Sequence, residues 1–143
     1  MRALAFEIAA SLLVWVGSAS AADIRIREPW IRALPGNLPA AGYFELINAG
    51  KSAVTLTGAE SPLCGMLMLH RSTTQDGMGR MQDVGEVTVP AGGRIAFAPG
   101  GFHLMCMDPK PALKPGGKAQ VALRFSDGSV VAAAFDIRNA MGK

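Results

Sequence analysis

Residues 66–107 of this 143-residue chain hold both of its histidines and six of its eight methionines. Within the run GGFHLMCMD, His103, Met105 and Met107 occupy alternate positions, and alternate side chains of an extended strand point to one face. A core that used methionine only to fill gaps would spread it over all strands, whereas the other apolar runs use Leu, Ile, Val, Phe and Ala. Because imidazole nitrogen and thioether sulfur suit a soft metal ion, this concentration predicts a soft-metal site.

The elements that position these side chains are predicted to be short β-strands. Apolar, β-branched and aromatic runs are separated at close intervals by Gly, Pro, Asn and Asp, as in a sandwich or barrel. The candidate strands are Ile24–Ile31, Gly42–Asn48, Val54–Glu60, Gly65–Arg71, Arg80–Gln82, Gly85–Val89, Arg94–Phe97, Phe102–Met107, Ala119–Phe125 and Val130–Ile137. Turns or loops are predicted at 35–39, 76–77, 90–93, 99–101, 114–117 and 126–129. The predicted fold class is all-β.

The first 22 residues are predicted to be a secretory signal peptide (1–22) that is not part of the fold. Arg2 precedes an apolar run at 8–16, and small residues follow, which is the layout of such a peptide. Cleavage is expected after Ala21 or Ala22, which leaves one domain, residues 23–143, in the periplasm without a membrane span. An amphipathic N-terminal helix or a retained anchor is the alternative interpretation.

Composition argues against two classes of protein. Hydrophobic residues make up 50% of the chain and charged residues 17%, so the chain can bury a core and is not expected to be disordered. The net charge of +3 is mild, and the Arg and Lys residues are scattered. A nucleic-acid partner is therefore not indicated.

Export changes the interpretation of the two cysteines, Cys64 and Cys106. In an oxidising compartment an even pair is consistent with a disulfide. A chain of this size can also fold without one, and cysteine buries well as a small apolar residue. The sequence leaves the pairing open, because it does not show whether the two Cα atoms come within bridging distance.

The spacing of four residues carries a specific resemblance. His70 is followed by ten residues and then Met81. Twenty-one residues separate Met81 from His103, and Met105 lies two positions beyond. With this spacing the chain resembles the periplasmic copper chaperone family PCu(A)C, whose motif has these residue types at these intervals. Further segments that resemble landmarks of that family are 39–48, Leu69-His70, Asp76-Gly77 with Arg80-Met81, 89–93, 99–105 and 113–116.

The resemblance covers about residues 27–137 and implies a cupredoxin-like Greek-key β-sandwich. The copper ion that it implies is Cu(I), and the implied ligands are His70, Met81, His103 and Met105. It also implies delivery toward the copper centre of cytochrome c oxidase, to an oxidase subunit or through a thioredoxin-like assembly factor. The protein is expected to be a monomer. The chemistry agrees, because Cu(I) is soft and thioethers survive outside the cytoplasm better than a free thiolate.

Methionines outside the motif leave alternatives open. Met66 and Met68 have the strand parity of His70, and Met107 shares that of its motif neighbours. These three and Met78 are interpreted as apolar cover around the copper, with a methionine-lined rim or a second weak site as the alternatives. Their number, and the two cysteines beside the motif, depart from the family pattern. Neither the cysteines nor Met78 and Met107 are expected to be primary ligands.

Other functional classes fit the residues less well. A blue-copper electron carrier needs a Cys thiolate, and such proteins usually present Cys, His and Met in that order, whereas Cys106 follows both His103 and Met105. A copper storage or tolerance protein is a further alternative. An enzyme is not expected, because metal binding by both histidines leaves no histidine as a general base and no Cys-x-x-Cys stands out.

Overall fold

The computed structural model describes residues 23–143 as ten β-strands joined by turns and loops. The strands are β1 (Ile24–Arg32), β2 (Ala40–Asn48), β3 (Val54–Glu60), β4 (Cys64–Gln75), β5 (Met78–Asp83), β6 (Val87–Val89), β7 (Arg94–Phe97), β8 (Phe102–Pro109), β9 (Lys118–Phe125) and β10 (Val130–Arg138). The all-β prediction is confirmed, and each of the ten predicted strands corresponds to one of these elements. The predicted signal peptide lies outside the described residues. Within 23–143, no helix is long and apolar enough to cross a membrane.

The strands form one sheet that curls back on itself. Neighbouring strands run in the order β5-β4-β8-β7-β2-β1-β10-β9-β3-β6, with additional pairings of β4 with β3 and of β8 with β2. The β3–β4 contact, where Ala59 faces Leu67, joins two distant parts of this order. The sheet therefore closes into a barrel-like sandwich, and β5 stays at its edge.

Apolar side chains at alternate positions line the inside of this barrel. In β9 the buried residues are Ala119, Val121, Leu123 and Phe125. An alternation of period two is typical of a strand with one face in a core. Burial of each large apolar side chain contributes about 1.5–3 kcal/mol to the stability of the fold. In β8 the corresponding inward residues are Leu104 and Cys106, which anchor the strand that carries His103 and Met105.

A disulfide joins the start of β4 to β8, which resolves the pairing that the sequence leaves open. Cys64 and Cys106 are bonded, and their Cα atoms are 5.4 Å apart. Both residues are buried. The adjacent Gly65 permits the close approach of the two strands, because a Cβ atom there would come within 2.8 Å of the Cβ atom of Asp108. In this disulfide-bonded form neither cysteine offers a thiolate.

A hairpin of β4 and β5 projects from the barrel on the turn predicted at Asp76-Gly77. Both turn residues have positive φ, 53° and 76°, as a type I′ turn requires. The turn pairs Gln75 with Met78, so β4 continues beyond its predicted end at Arg71. All six residues of β5 are exposed, and in the described sheet β5 pairs with β4 alone.

Candidate metal centre

His70 and His103 face each other across β4 and β8. They are direct partners in the antiparallel ladder, so their side chains project from the same face. The ring centroids are 5.7 Å apart, and the two ring planes meet at 76°. Strand pairing therefore brings together two predicted ligands that are far apart in the sequence.

His103 is held in place more firmly than the other predicted ligands. It is 3% exposed, and its Nδ1 atom lies 3.2 Å from the carbonyl oxygen of Gly101. Because a carbonyl oxygen can only accept, Nδ1 donates the proton and Nε2 presents its lone pair. Burial lowers the pKa of His103, the hydrogen bond to Gly101 raises it and His70 lowers it further. The result favours the neutral imidazole, which is the form that binds a metal.

Three nitrogen atoms of this histidine pair have no partner in the protein. They are Nδ1 and Nε2 of His70 and Nε2 of His103, all buried. Buried polar atoms are nearly always hydrogen-bonded, because an unsatisfied one costs about 1–3 kcal/mol. A metal ion at the pair would take one lone pair on each ring and so account for two of these three atoms, which fits the two histidines for the role of metal ligands.

Met105 lies on the same face as His103, two positions further along β8. It is half-buried, and its direct partners are Ala41 in β2 and Met68 in β4. Alternate residues of a strand are about 7 Å apart, and a methionine side chain with three rotatable bonds can span much of that distance. Met105 can therefore present its sulfur to a metal held at His103.

Met81 reaches this face from the hairpin. The ladder pairs Met81 with Ser72, which has the strand parity of His70. Met81 is therefore the diagonal neighbour of His70, a separation that long side chains bridge. In contrast to His103, Met81 is 62% exposed. The register thus places all four predicted ligands on one face of β5, β4 and β8, while their coordination of a metal stays a prediction.

The donors available beside the histidine pair are mainly the two motif methionines. Within the part of the chain that the structure describes, no three His, Cys, Asp or Glu side chains are grouped so that they could hold a metal ion. The two motif methionines offer soft, uncharged sulfur donors. The imidazoles are neutral donors as well. A site of this composition suits a soft ion of low charge better than a hard divalent ion.

Sequence reasoning missed two residues that lie beside the histidines. Asp83 is the direct partner of His70 in β5, and the ring centroid of Tyr43 lies 6.5 Å from that of His103. Asp83 could have been found by counting outward from the two-residue turn, because such a turn sets the register of its hairpin. No local signal identifies Tyr43, because β2 meets β8 only through tertiary pairing.

A cluster of aromatic side chains extends from the His103 side of the site. The rings of Tyr43 and Trp30 have centroids 4.9 Å apart. The guanidinium of Arg32 lies over both rings, at 5.4 Å from the Trp30 centroid and 5.5 Å from the Tyr43 centroid. Cation–π contacts of this kind contribute about 0.5–1 kcal/mol each. They hold the ring that neighbours His103 in a defined position.

Comparison with known families and proteins relates the chain to proteins with the description "Putative lipoprotein". A family model described as "Putative lipoprotein LpqE-like" matches residues 24–137. The chain is 33% identical over 120 residues to "Putative lipoprotein Lxx21020" of Leifsonia xyli, which covers 83% of this chain and 72% of that protein. It is 29% identical over 111 residues to an uncharacterized protein of Rickettsia prowazekii, which covers 74% of this chain and 61% of that protein.

Solved structures share the fold. The copper-bound PCuAC domain of PmoF2 matches with a TM-score of 0.69 at 24% identity, over 82% of this chain and 93% of that domain. The solution structure of Cu(I)-bound DR1885 from Deinococcus radiodurans matches with a TM-score of 0.63 at 28% identity, over 84% of this chain and 83% of that protein. These similarities confirm the predicted cupredoxin-like β fold.

Proposed function

Because this chain belongs to the LpqE-like family and has the fold of PCuAC domains, we propose that it is a Cu(I)-binding metallochaperone. The observation that carries the proposal is the facing pair His70 and His103, with three buried nitrogen atoms that have no partner in the protein. In the proposal, Met81 and Met105 complete the coordination of the copper ion. Each lies on the face of the sheet to which the histidines point.

The donor set suits a carrier rather than a permanent metal centre. All four proposed ligands are neutral, so the site compensates none of the charge of Cu(II) and favours the singly charged, soft Cu(I). Thioethers have no proton to lose, so only the two histidines couple binding to pH. One ligand, Met81, stands on an exposed edge strand, from which an acceptor can approach the metal.

We further propose that the chain acts in the periplasm after removal of residues 1–22. The buried disulfide supports an oxidising compartment, since cytosolic thiols are kept reduced. The proposed cargo route leads toward the copper centre of cytochrome c oxidase, with an oxidase subunit or a thioredoxin-like assembly factor as the acceptor. Mass spectrometry of the protein from its host tests the processing: we expect an N-terminus at Ala22 or Asp23, and an intact leader retained in the membrane would contradict it.

An electron-transfer role is less well supported than a carrier role. A blue-copper site requires a cysteine thiolate, and Cys64 and Cys106 are bonded to each other. An enzymatic role lacks a general base, since the proposal commits both histidines to the metal. A storage role would call for several tightly bound copper ions, whereas the motif supplies one four-ligand site.

A copper titration under reducing conditions tests the proposal. We expect one tightly bound Cu(I) per chain in competition with a Cu(I) chelator, and X-ray absorption with both nitrogen and sulfur neighbours. A spectrum with oxygen ligands only, or the intense visible absorption of a thiolate–Cu(II) site, would overturn it. Incubation of the loaded protein with an oxidase copper domain, alone or with the assembly factor, then tests whether the cargo is passed on.

A further inference from the structure

The outer face of β4 and β8 carries a ladder of four methionines, of which the proposed copper site uses only Met105. Met66 is the direct partner of Met107, and Met68 is the direct partner of Met105. The next rung of the same ladder is His70 with His103. Direct partners have Cβ atoms about 4.5–5.5 Å apart, and diagonal neighbours lie about 7–8 Å apart. Met66, Met68 and Met107 are therefore mutual neighbours on one surface.

Packing does not account for this ladder. The opposite side of the same two strands supplies the core with Leu67, Leu69 and Leu104, all buried. On the outer side, Met66 is 57% exposed, and Met68 and Met107 are partly exposed. A single exposed apolar residue is normal on a protein surface, but a contiguous group is typical of a binding surface. The interpretation of these methionines as apolar cover does not explain the position of Met66.

From this register we propose that Met66, Met68 and Met107 form a second metal site, made only of thioether sulfur, that binds a soft monovalent cation such as Cu(I) or Ag(I). Three sulfurs on long side chains, each with three rotatable bonds, can converge on one ion from neighbouring positions. The donors are uncharged, so hard cations, which require oxygen ligands, are not retained.

The second site adjoins the proposed copper site through Met105. Met105 is the partner of Met68 and lies two positions from His103, so it borders both sites. Exposure falls along the ladder from 57% at Met66 to 3% at His103. The second site is thus the more accessible one, and it suits uptake of the ion before transfer to the histidines. This transfer step rests on the proposed function, whereas the existence of the second site does not.

Titration with Ag(I), a redox-stable soft monovalent ion, tests the second site in protein labelled with carbon-13 at the methionine ε-methyl groups. The titration uses the His70→Ala/His103→Ala variant, in which the histidine site is absent. We expect the ε-methyl signals of Met66, Met68 and Met107 to shift together and saturate near one equivalent. Shifts that are spread equally over all methionines, or no shifts, would overturn the proposal.

Leucine variants with native histidines separate this proposal from the copper site. Met66→Leu/Met107→Leu should abolish a second, weaker equivalent of Cu(I) and leave the first unchanged. The matched control is Met78→Leu/Met141→Leu, which replaces two methionines of similar or greater exposure that lie off the ladder. Because leucine has nearly the volume of methionine, we expect all these variants to fold, which circular dichroism checks. If Met66→Leu/Met107→Leu still binds two equivalents of Cu(I), the second site is rejected and the proposed function is not. If the native protein binds no Cu(I) tightly, the proposed function is rejected.

Discussion

The two sides of the candidate centre differ in how the fold holds them. His103 is 3% exposed, lies on a strand paired on both sides, and donates a hydrogen bond to the backbone of Gly101. Met81 is 62% exposed and lies on β5, an edge strand whose six residues are all exposed. One side of the site is thus part of the barrel wall, and the other lies on β5, which within the described residues pairs with β4 alone.

This difference suggests a division of roles in the proposed chaperone. Segments with few buried apolar contacts open locally at low free-energy cost, whereas core strands open only near the global unfolding free energy. The barrel wall, which carries His103, should therefore determine the affinity for copper. The hairpin, which carries Met81, should determine the rate of copper release. Variants of the barrel wall and of the hairpin test this division, with Cu(I) affinity as the common measure.

The largest effect is expected at the wall. His103→Ala should weaken Cu(I) binding by about 100-fold or more, because it removes a preoriented nitrogen donor that no other side chain can replace. Competition against a Cu(I) chelator measures the change, with circular dichroism as the test of folding. His70→Ala should weaken Cu(I) binding nearly as much as His103→Ala. A loss below tenfold in a folded His103→Ala variant would place the copper elsewhere.

Replacement of either sulfur donor should have an intermediate effect. Met105→Leu and Met81→Leu should each lower affinity by about tenfold, equivalent to about 1.4 kcal/mol. If the division of roles is right, Met81→Leu should act mainly by raising the rate of Cu(I) release to a chelator, measured by stopped flow. Met78→Leu, on the same exposed strand, is the control and should change neither quantity. Equal effects of Met78→Leu and Met81→Leu would contradict the predicted ligand set.

Strain in the hairpin turn should have a smaller effect on Cu(I) affinity than replacement of a ligand. Gly77→Ala places a side chain at a φ of 76°, which destabilises the turn by about 1 kcal/mol without any steric contact. We expect Cu(I) affinity to fall a few-fold while the melting temperature changes little, since β5 adds no buried residue to the core. The matched control is Gly128→Ala, which has a φ of 86° and open space in the β9–β10 turn. If both variants weaken copper binding equally, the hairpin has no special role.

Removal of the disulfide should have the smallest effect on copper. Cys64→Ala/Cys106→Ala should leave Cu(I) affinity within about twofold, because the sulfurs are bonded to each other and Cys106 faces the core. The same change should lower the free energy of unfolding by about 2–4 kcal/mol, since the bond closes a loop across 42 positions. Chemical denaturation measures the second quantity. Loss of Cu(I) binding in a folded double variant would show that a cysteine completes the site.

Local sequence patterns were sufficient for the strands and for part of the site. Alternation with a period of two and the Gly, Pro and Asp breaks predicted all ten strands, with errors confined to their ends. The largest error, at the end of β4, arose because residues 72–75 lack an apolar pattern and form a strand through pairing with β5. The Asp76-Gly77 turn also determines which residues of its hairpin face each other, so the position of Met81 relative to His70 could be read from the sequence by counting.

Only the tertiary structure decided which distant strands meet. The pairing of β4 with β8 sets His70 opposite His103, aligns the methionine ladder and brings Cys64 within bonding distance of Cys106. The sequence by itself determined residue types, strand positions and the register of the one hairpin, because these depend on neighbours along the chain. Pairing between remote strands depends on how the whole barrel buries its apolar faces, and a shift of one residue would turn every histidine and methionine of β8 to the other face.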